Sequence, residues 1–212
     1  MIITLDGKVA TGKSTIAKMV AEAIGFIYFD TGAMYRALTY GLLKKNICIE
    51  DAPSLHQFLE SFTFDIKNHK GHRRYFFEQE DISDVIRGEK VTSFVSSVSA
   101  LKPVREKLVA MQREMAVGIN AVFEGRDMGT VVFPQATLKV FLTGDAAVRA
   151  KRRYDEFIAK VPEEKARFTL ESCLEEIEKR DAWDSTRENS PLREPQGALV
   201  IDTTTLSPKE IV

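Results

Sequence analysis

Near the N-terminus, Gly7-Lys8-Val9-Ala10-Thr11-Gly12-Lys13-Ser14 places two glycines, a lysine and a hydroxyl at the spacing of a Walker A loop. The apolar run Ile2 to Asp6 precedes it, and Lys13 to Ile24 follows with Ile16, Met19, Val20 and Ala23 at helical spacing before Gly25 ends the helix. That order matters physically. A tight glycine turn between a buried strand and a helix aims backbone N–H groups and the positive helix end at one point, which suits a phosphate.

The same alternation continues. Phe26 to Phe29 is a second apolar run, closed by Asp30-Thr31-Gly32, and Met34, Ala37, Leu38 and Leu42 then return to helical spacing. Strand, helix, strand, helix predicts an α/β fold, a parallel β-sheet flanked by helices. After Lys45 the pattern changes to a short helix near Ser54 to Ser61 and a β-hairpin from Thr63 to Asn68 and Arg73 to Gln79, inserted into the core. Helices are expected over Glu89 to Ala100, Pro103 to Gly118, from Ala146 and from Thr169 to about Asp184, with Asp145 as an N-cap. Strands are expected at Ala121 to Phe123, Leu138 to Leu142 and Leu199 to Ile201, and Ser207-Pro208-Lys209-Glu210 reads as a capping box. Lys160 to Phe168 is charged and interrupted by proline.

A chain of 212 residues, 44% of them hydrophobic, can bury one full core carrying small inserts. Lys and Arg number 30 against 31 Asp and Glu, so the basic field of a nucleic-acid or membrane-surface binder is missing, and any anion must be met by local clusters. Cys48 and Cys173 have neither metal-ligand nor disulfide spacing, and both are expected as buried thiols in a reducing cytoplasm. No apolar run reaches membrane length and no leader pattern opens the chain.

Within the loop, the backbone from Gly7 to Thr15 is the expected ATP-binding segment. Lys13 would neutralise the β- and γ-phosphates, and Ser14 would ligate the Mg²⁺ ion that comes with ATP. The loop alone leaves open a kinase, a GTPase, a motor ATPase or a binding module without catalysis. Other stretches carry candidate chemistry, each with a plain alternative. Arg36, one turn into the helix after Asp30, suits a phosphate fork or a surface salt bridge. Glu124-Gly125-Arg126-Asp127-Met128-Gly129-Thr130 follows a strand and reads either as a site or as a hairpin turn. Arg180, Asp184 and Arg187 share one helix face, as ligands or as a solvated salt-bridged stripe. Arg149, Arg152 and Arg153, with Lys151, repel one another unless anions or acidic partners are near, and a mobile lid closing over ATP would supply the anion.

Taken together, Gly7 to Ser14, Asp30 to Arg36, Gly125 to Thr130, and Arg180-Asp181-Ala182-Trp183-Asp184-Ser185-Thr186-Arg187 with Ser190-Pro191-Leu192 resemble the bacterial cytidylate kinases over nearly the whole chain. The resemblance implies a P-loop core at residues 1–38, 99–148 and 171–212, a nucleoside-monophosphate-binding insert at 39–98 and a short helical lid at 149–170. It implies transfer of the γ-phosphate of ATP to CMP or dCMP by a cytoplasmic monomer. By the family's pattern Ser96, Arg105 and Asp127 read the cytosine, Asp184 with Arg180 holds the ribose, and Arg36, Arg126 and Arg187 hold the acceptor phosphate beside Thr31. Lys13, Arg126, Arg180, Arg187 and the lid residues Arg149 and Arg153 would be the catalytic cations. Asp127 suits the exocyclic amine of cytosine, whereas uracil would present an acceptor to it, a mismatch costing about 1 to 3 kcal/mol.

The sequence departs from the family at Lys8, Val9 and Ala10, where small residues, proline or glycine are usual, and this bears on ATP affinity. It also ends at Val212 where the family continues, which bears on stability. A small-alcohol kinase resembling shikimate kinase would need a second acid where Gly32 stands, and a regulatory GTPase would need an Asn-Lys-x-Asp motif, which does not occur. His56, His69 and His72 are expected to be solvated, and Trp183 to pack.

Overall fold

The computed structural model describes residues 1–69, 72–161 and 168–212. In chain order the elements begin β1 (Ile2–Gly7), α1 (Lys13–Ala23), β2 (Ile27–Asp30), α2 (Thr31–Lys44) and α3 (Ala52–Ser61). There follow β3 (Asp65–His69), β4 (His72–Phe77), β5 (Glu80–Asp81), α4 (Glu89–Ala100) and α5 (Lys102–Met115). The chain closes with β6 (Ala121–Gly125), β7 (Leu138–Thr143), α6 (Ala146–Lys160), α7 (Leu170–Thr186), β8 (Leu199–Asp202) and α8 (Pro208–Ile211). Backbone contacts divide it into two compact units, Met1–Phe29 with Ala116–Val212, and Asp30–Met115.

The first unit holds a five-stranded sheet in the order β2-β6-β1-β7-β8, with β1 parallel to β6 and β7, and β7 parallel to β8. Strand β1 is central, which is why its residues from Ile3 onward are buried and its sequence is an almost unbroken apolar run. Ile3, Leu5, Ile16, Ala17, Val122 and Leu142 form the core between sheet and helices. The second unit pairs β3, β4 and β5 antiparallel and packs α2 to α5 around Met34, Leu38, Phe58, Phe77 and Leu108, with Phe62 stacked on Phe77 at 5.8 Å. The expected hairpin is present, its register running from Asp65 opposite Phe76 to His69 opposite His72. Strand β5 was not foreseen, because two residues carry no periodicity.

Three expectations are corrected. Cys48 is exposed, its thiol donating to Glu50 at 2.9 Å, since it lies in the connection after α2 and not in an apolar face; Cys173 is buried as expected. Trp183 is 46% exposed, because α7 turns that side to solvent. The stretch Glu124 to Thr130, read either as a site or as a hairpin turn, runs into one π-helical turn (Met128–Val132) and not a hairpin. His56 is exposed beside Glu60, as anticipated. Residues 162–167 of the predicted lid lie outside the described residues.

Strand β1 ends at a position open only to glycine. A Cβ on Gly7, whose φ is 153°, would sit 2.2 Å from the Leu142 carbonyl oxygen. Gly7→Ala is expected to destabilise the protein by about 3 kcal/mol or more, because backbone cannot give way as a flexible side chain would. A urea midpoint unchanged from wild type would contradict this.

Candidate functional site

Helix α1 starts at a left-handed glycine, Gly12 with φ 84°, and no side chain caps it; α4 also starts uncapped, at Gly88 with an ordinary φ of −67°. By contrast Asp30, Asp51, Asp145, Thr169 and Ser207 each cap the N-terminus of α2, α3, α6, α7 and α8 with a side-chain oxygen. The N–H groups of α1's first turn thus have no side-chain cap, and a helix start of this kind can receive a phosphate. Ser14 and Thr15 are exposed there. The loop itself closes around Lys13, whose Nζ donates to the Lys8 carbonyl at 2.5 Å and to Thr11 Oγ1 at 3.4 Å. Ala10 takes φ 58°, a left-handed conformation costing a residue with a Cβ about 1 to 2 kcal/mol, so the departure from glycine at this position has a structural consequence.

Burial, and then the charge of Arg126, push the Lys13 ammonium down from 10.5 to about 7, against the pull of Glu124, Asp184 and Asp6. The free protein thus holds this lysine poised between its charged and neutral forms.

Asp6, the last side chain of β1 before the loop, organises the next strand's end. The β1–β6 register sets it beside Gly125, and its two carboxylate oxygens accept the Met128 N–H at 2.8 Å and the Gly129 N–H at 2.7 Å. This anchors the π-helical turn and with it Arg126 and Asp127. Arg126 Nε donates to Asp184 Oδ2 at 2.8 Å, and Arg187, just past the end of α7, lies 3.8 Å from Asp184 and 4.0 Å from Asp127. Burial alone would raise the Asp184 carboxyl, but Arg126, Arg180 and Arg187 outweigh it and hold it below the usual carboxylate range. Glu124, also buried, accepts the Tyr28 hydroxyl at 2.5 Å. Within this unit the structure therefore brings together Lys13, Arg126, Asp127, Arg180, Asp184 and Arg187, with Glu124 and Asp6 close by.

In the second unit, Thr31 is buried at the first turn of α2, which Asp30 caps by accepting the Ala33 N–H at 3.0 Å. Asp30 also pairs with Arg87 at 2.8 Å. Arg36 donates to Thr92 Oγ1 at 2.7 Å and to the Ile86 carbonyl at 3.2 Å. Arg105 is 4% exposed, lies 5.3 Å from the centre of the Tyr35 ring and donates to the Ser99 carbonyl. Ser96 is half-buried on α4, its carbonyl accepting the Ser99 hydroxyl.

On α6 the basic stretch has acidic partners and carbonyls close by. Lys151 pairs with Asp155 at 2.6 Å, Arg153 with Glu176 at 3.2 Å, and Arg152 donates to the Thr203 carbonyl at 2.7 Å. Arg149 is 2% exposed and engages the Gly144 carbonyl, the Val9 carbonyl and Asp181. Acidic partners and carbonyls within the chain offset the repulsion among these cations. Asp6, Asp181 and Thr92 were not singled out in the sequence. Only Asp6 gave a signal, a lone carboxylate inside an apolar run.

A family model described as cytidylate kinase matches residues 3–212. The chain belongs to the cytidylate kinase family. It is 64% identical over 212 residues to a cytidylate kinase of Protochlamydia amoebophila, covering 100% of this chain and 93% of that one. With a cytidylate kinase of Halalkalibacterium halodurans it shares 43% identity over 211 residues, again covering 100% and 93%. Among solved structures, a gluconokinase from Sinorhizobium meliloti aligns over 99% of this chain and 85% of its own with a TM-score of 0.50 and 15% identity, a likeness of fold alone. Among the described residues no helix is long and apolar enough to cross a membrane, and no three His, Cys, Asp or Glu side chains gather as a metal cluster.

Two measurements follow from these groups. ATP phosphates at Lys13 favour its ammonium form, so binding above neutral pH should take up protons, approaching about one per nucleotide near pH 8 and about none near pH 6. Calorimetry in buffers of differing ionisation enthalpy reads this directly, and Lys13→Met should abolish it. For Asp6, burial outweighs both backbone hydrogen bonds and the charge of Lys13, raising its carboxyl from 3.8 to about 6. The protonated form is thus favoured by folding: the contribution is fully present below about pH 4 and lost as pH rises through about 6, on the order of 3 kcal/mol in all. Asp6→Asn cannot titrate, so the stability difference between wild type and variant should fall across that window. Parallel profiles would show that Asp6 does not titrate there.

Proposed function

We propose that this protein transfers the γ-phosphate of ATP to CMP or dCMP, yielding ADP with CDP or dCDP. The observation that carries the reading is the Asp6-anchored turn. It sets a buried carboxylate, Asp127, and a cation, Arg126, at the end of β6, the strand hydrogen-bonded to the one that opens into the phosphate loop. A carboxylate at that edge of a parallel sheet, framed by arginines, suits a ligand with an amino edge and a phosphate.

The acceptor is a phosphate oxygen already ionised at neutral pH, so no general base is needed. That oxygen attacks the γ-phosphorus while the bond to the bridging oxygen of ADP breaks. The obstacle is repulsion between two polyanions, and fixed cations in a water-poor site lower it most effectively. Lys13 and the α1 N-terminus take the donor phosphates. Arg126 and Arg187 take the acceptor phosphate, Asp184 and Arg180 the ribose, and Asp127 the cytosine amine. In the second unit the same family pattern gives Thr31 and Arg36 to the monophosphate, and Ser96 and Arg105 to the base. Arg153 stays a candidate for the transferred charge.

Mg²⁺ would arrive with ATP. The exposed Ser14 hydroxyl at the start of α1 is the group that would hold it, and one protein oxygen suffices for an ion that keeps several waters and binds phosphates. When bound, it neutralises charge between the β- and γ-phosphates. The reading is of a cytoplasmic monomer acting on free nucleotides, with low ATP hydrolysis when no acceptor is present.

A coupled assay with ATP and Mg²⁺ against CMP, dCMP, UMP, AMP, shikimate and gluconate should find CMP and dCMP the best acceptors. Asp127→Ala should lower kcat/KM for CMP by about 5- to 150-fold and narrow the preference over UMP. AMP or a sugar acid as best acceptor would overturn the assignment.

A further inference from the structure

One residue of the phosphate loop is held by side chains from two distant helices. The Val9 N–H donates to Asp181 Oδ1 of α7 at 3.1 Å, and the Val9 carbonyl accepts from Arg149 Nη1 of α6 at 2.8 Å. Arg149 and Asp181 pair with each other at 2.8 Å, and Arg149 Nε is fixed by the Gly144 carbonyl at 2.9 Å. Every member is buried: Val9 is 6% exposed, Arg149 2% and Asp181 8%. The Val9 side chain meanwhile packs with Ala150, Cys173 and Ile177 from the same two helices.

Two features make this more than a structural ion pair. The clamp grips the residue directly before Ala10, whose left-handed φ of 58° is unfavourable for a residue with a Cβ and persists only if its surroundings impose it. It also consumes the Val9 N–H, turning that donor toward α7. A buried ion pair is a poor source of stability compared with apolar packing of the same volume, so its use here points to placement of the loop.

We infer that Arg149 and Asp181 are positioning residues for the phosphoryl donor: together they hold Val9 so that the phosphate loop keeps its ATP-receiving shape. Neither touches nucleotide in this role. The inference rests on the ATP-dependent kinase reading, which activity of the unaltered protein toward CMP tests separately.

The experiment compares wild type, Arg149→Lys, Asp181→Asn and the double variant Arg149→Met/Asp181→Leu. Each is assayed for kcat, for KM of ATP and of CMP separately, and for thermal stability. Arg149→Lys keeps the charge but cannot serve Val9, Gly144 and Asp181 at once, and should raise KM for ATP by about tenfold or more while KM for CMP changes by less than about twofold. The double variant removes both charges together, which avoids a lone buried charge, but it leaves the Val9 and Gly144 backbone groups without these partners; it should be less stable than wild type and still show the ATP defect. Wild-type KM for ATP in a stably folded double variant would overturn the inference, as would equal losses for ATP and CMP in Arg149→Lys. Should the double variant fail to fold, the ATP-against-CMP split in Arg149→Lys and Asp181→Asn decides alone.

Discussion

The carboxylate of Asp6 is the constraint on which the rest of the first unit turns. It sits at the end of the central strand, beside Gly125, with both oxygens filled by the N–H groups of Met128 and Gly129. Those donors belong to a π-helical turn, an irregular piece of backbone that would otherwise leave buried N–H groups unpaired. One side chain therefore joins the strand that opens into the phosphate loop to the turn that carries Arg126 and Asp127. Burial works against the charge that makes this possible, and the carboxyl is raised to about 6 as a result. The fold tolerates that cost because no neutral side chain offers two acceptors to two donors in that geometry.

The same opposition governs the cations. Lys13, Arg126, Arg180 and Arg187 are gathered with Asp184, Asp127, Glu124 and Asp6, and Lys13 is depressed to about 7 by burial first and by the charge of Arg126 second. Overall the chain is nearly neutral, at a formal net charge of -1, so this concentration is local and fixed by the scaffold. Anionic nucleotides would relieve the repulsion among these groups, and the preorganised dipoles and charges would need little rearrangement to receive them.

What the sequence revealed was what is local. The phosphate loop, its flanking strand and helix, α4 from Glu89 to Ala100, the helix start at Thr169 and the capping box at Ser207 could be read because spacing and capping act within a few residues. Long-range partners could not. Asp6 reaches 122 residues to Met128, and Asp181 reaches 172 residues back to Val9; neither separation leaves a periodic trace. The burial of Arg149 left no sequence trace for a related reason: a run of basic residues shows charge density, while burial is decided by which face of α6 meets α7 and the loop. The α6 helix turns Lys151 to solvent and Arg149 inward, and only the packed structure distinguishes them.

Ala10 shows how local strain and distant support belong to one design. A glycine would adopt this left-handed turn without cost, whereas alanine shifts the burden to neighbours. On one side Lys13 fills the loop's interior and bonds the Lys8 carbonyl; on the other Arg149 and Asp181 hold Val9 by its N–H and its carbonyl. Ala10 is thus bracketed by residues whose backbone is already fixed, and its own conformation has little freedom left. A chain carrying alanine here depends more on those brackets than a chain carrying glycine would, since the turn itself no longer favours the conformation that phosphate binding requires.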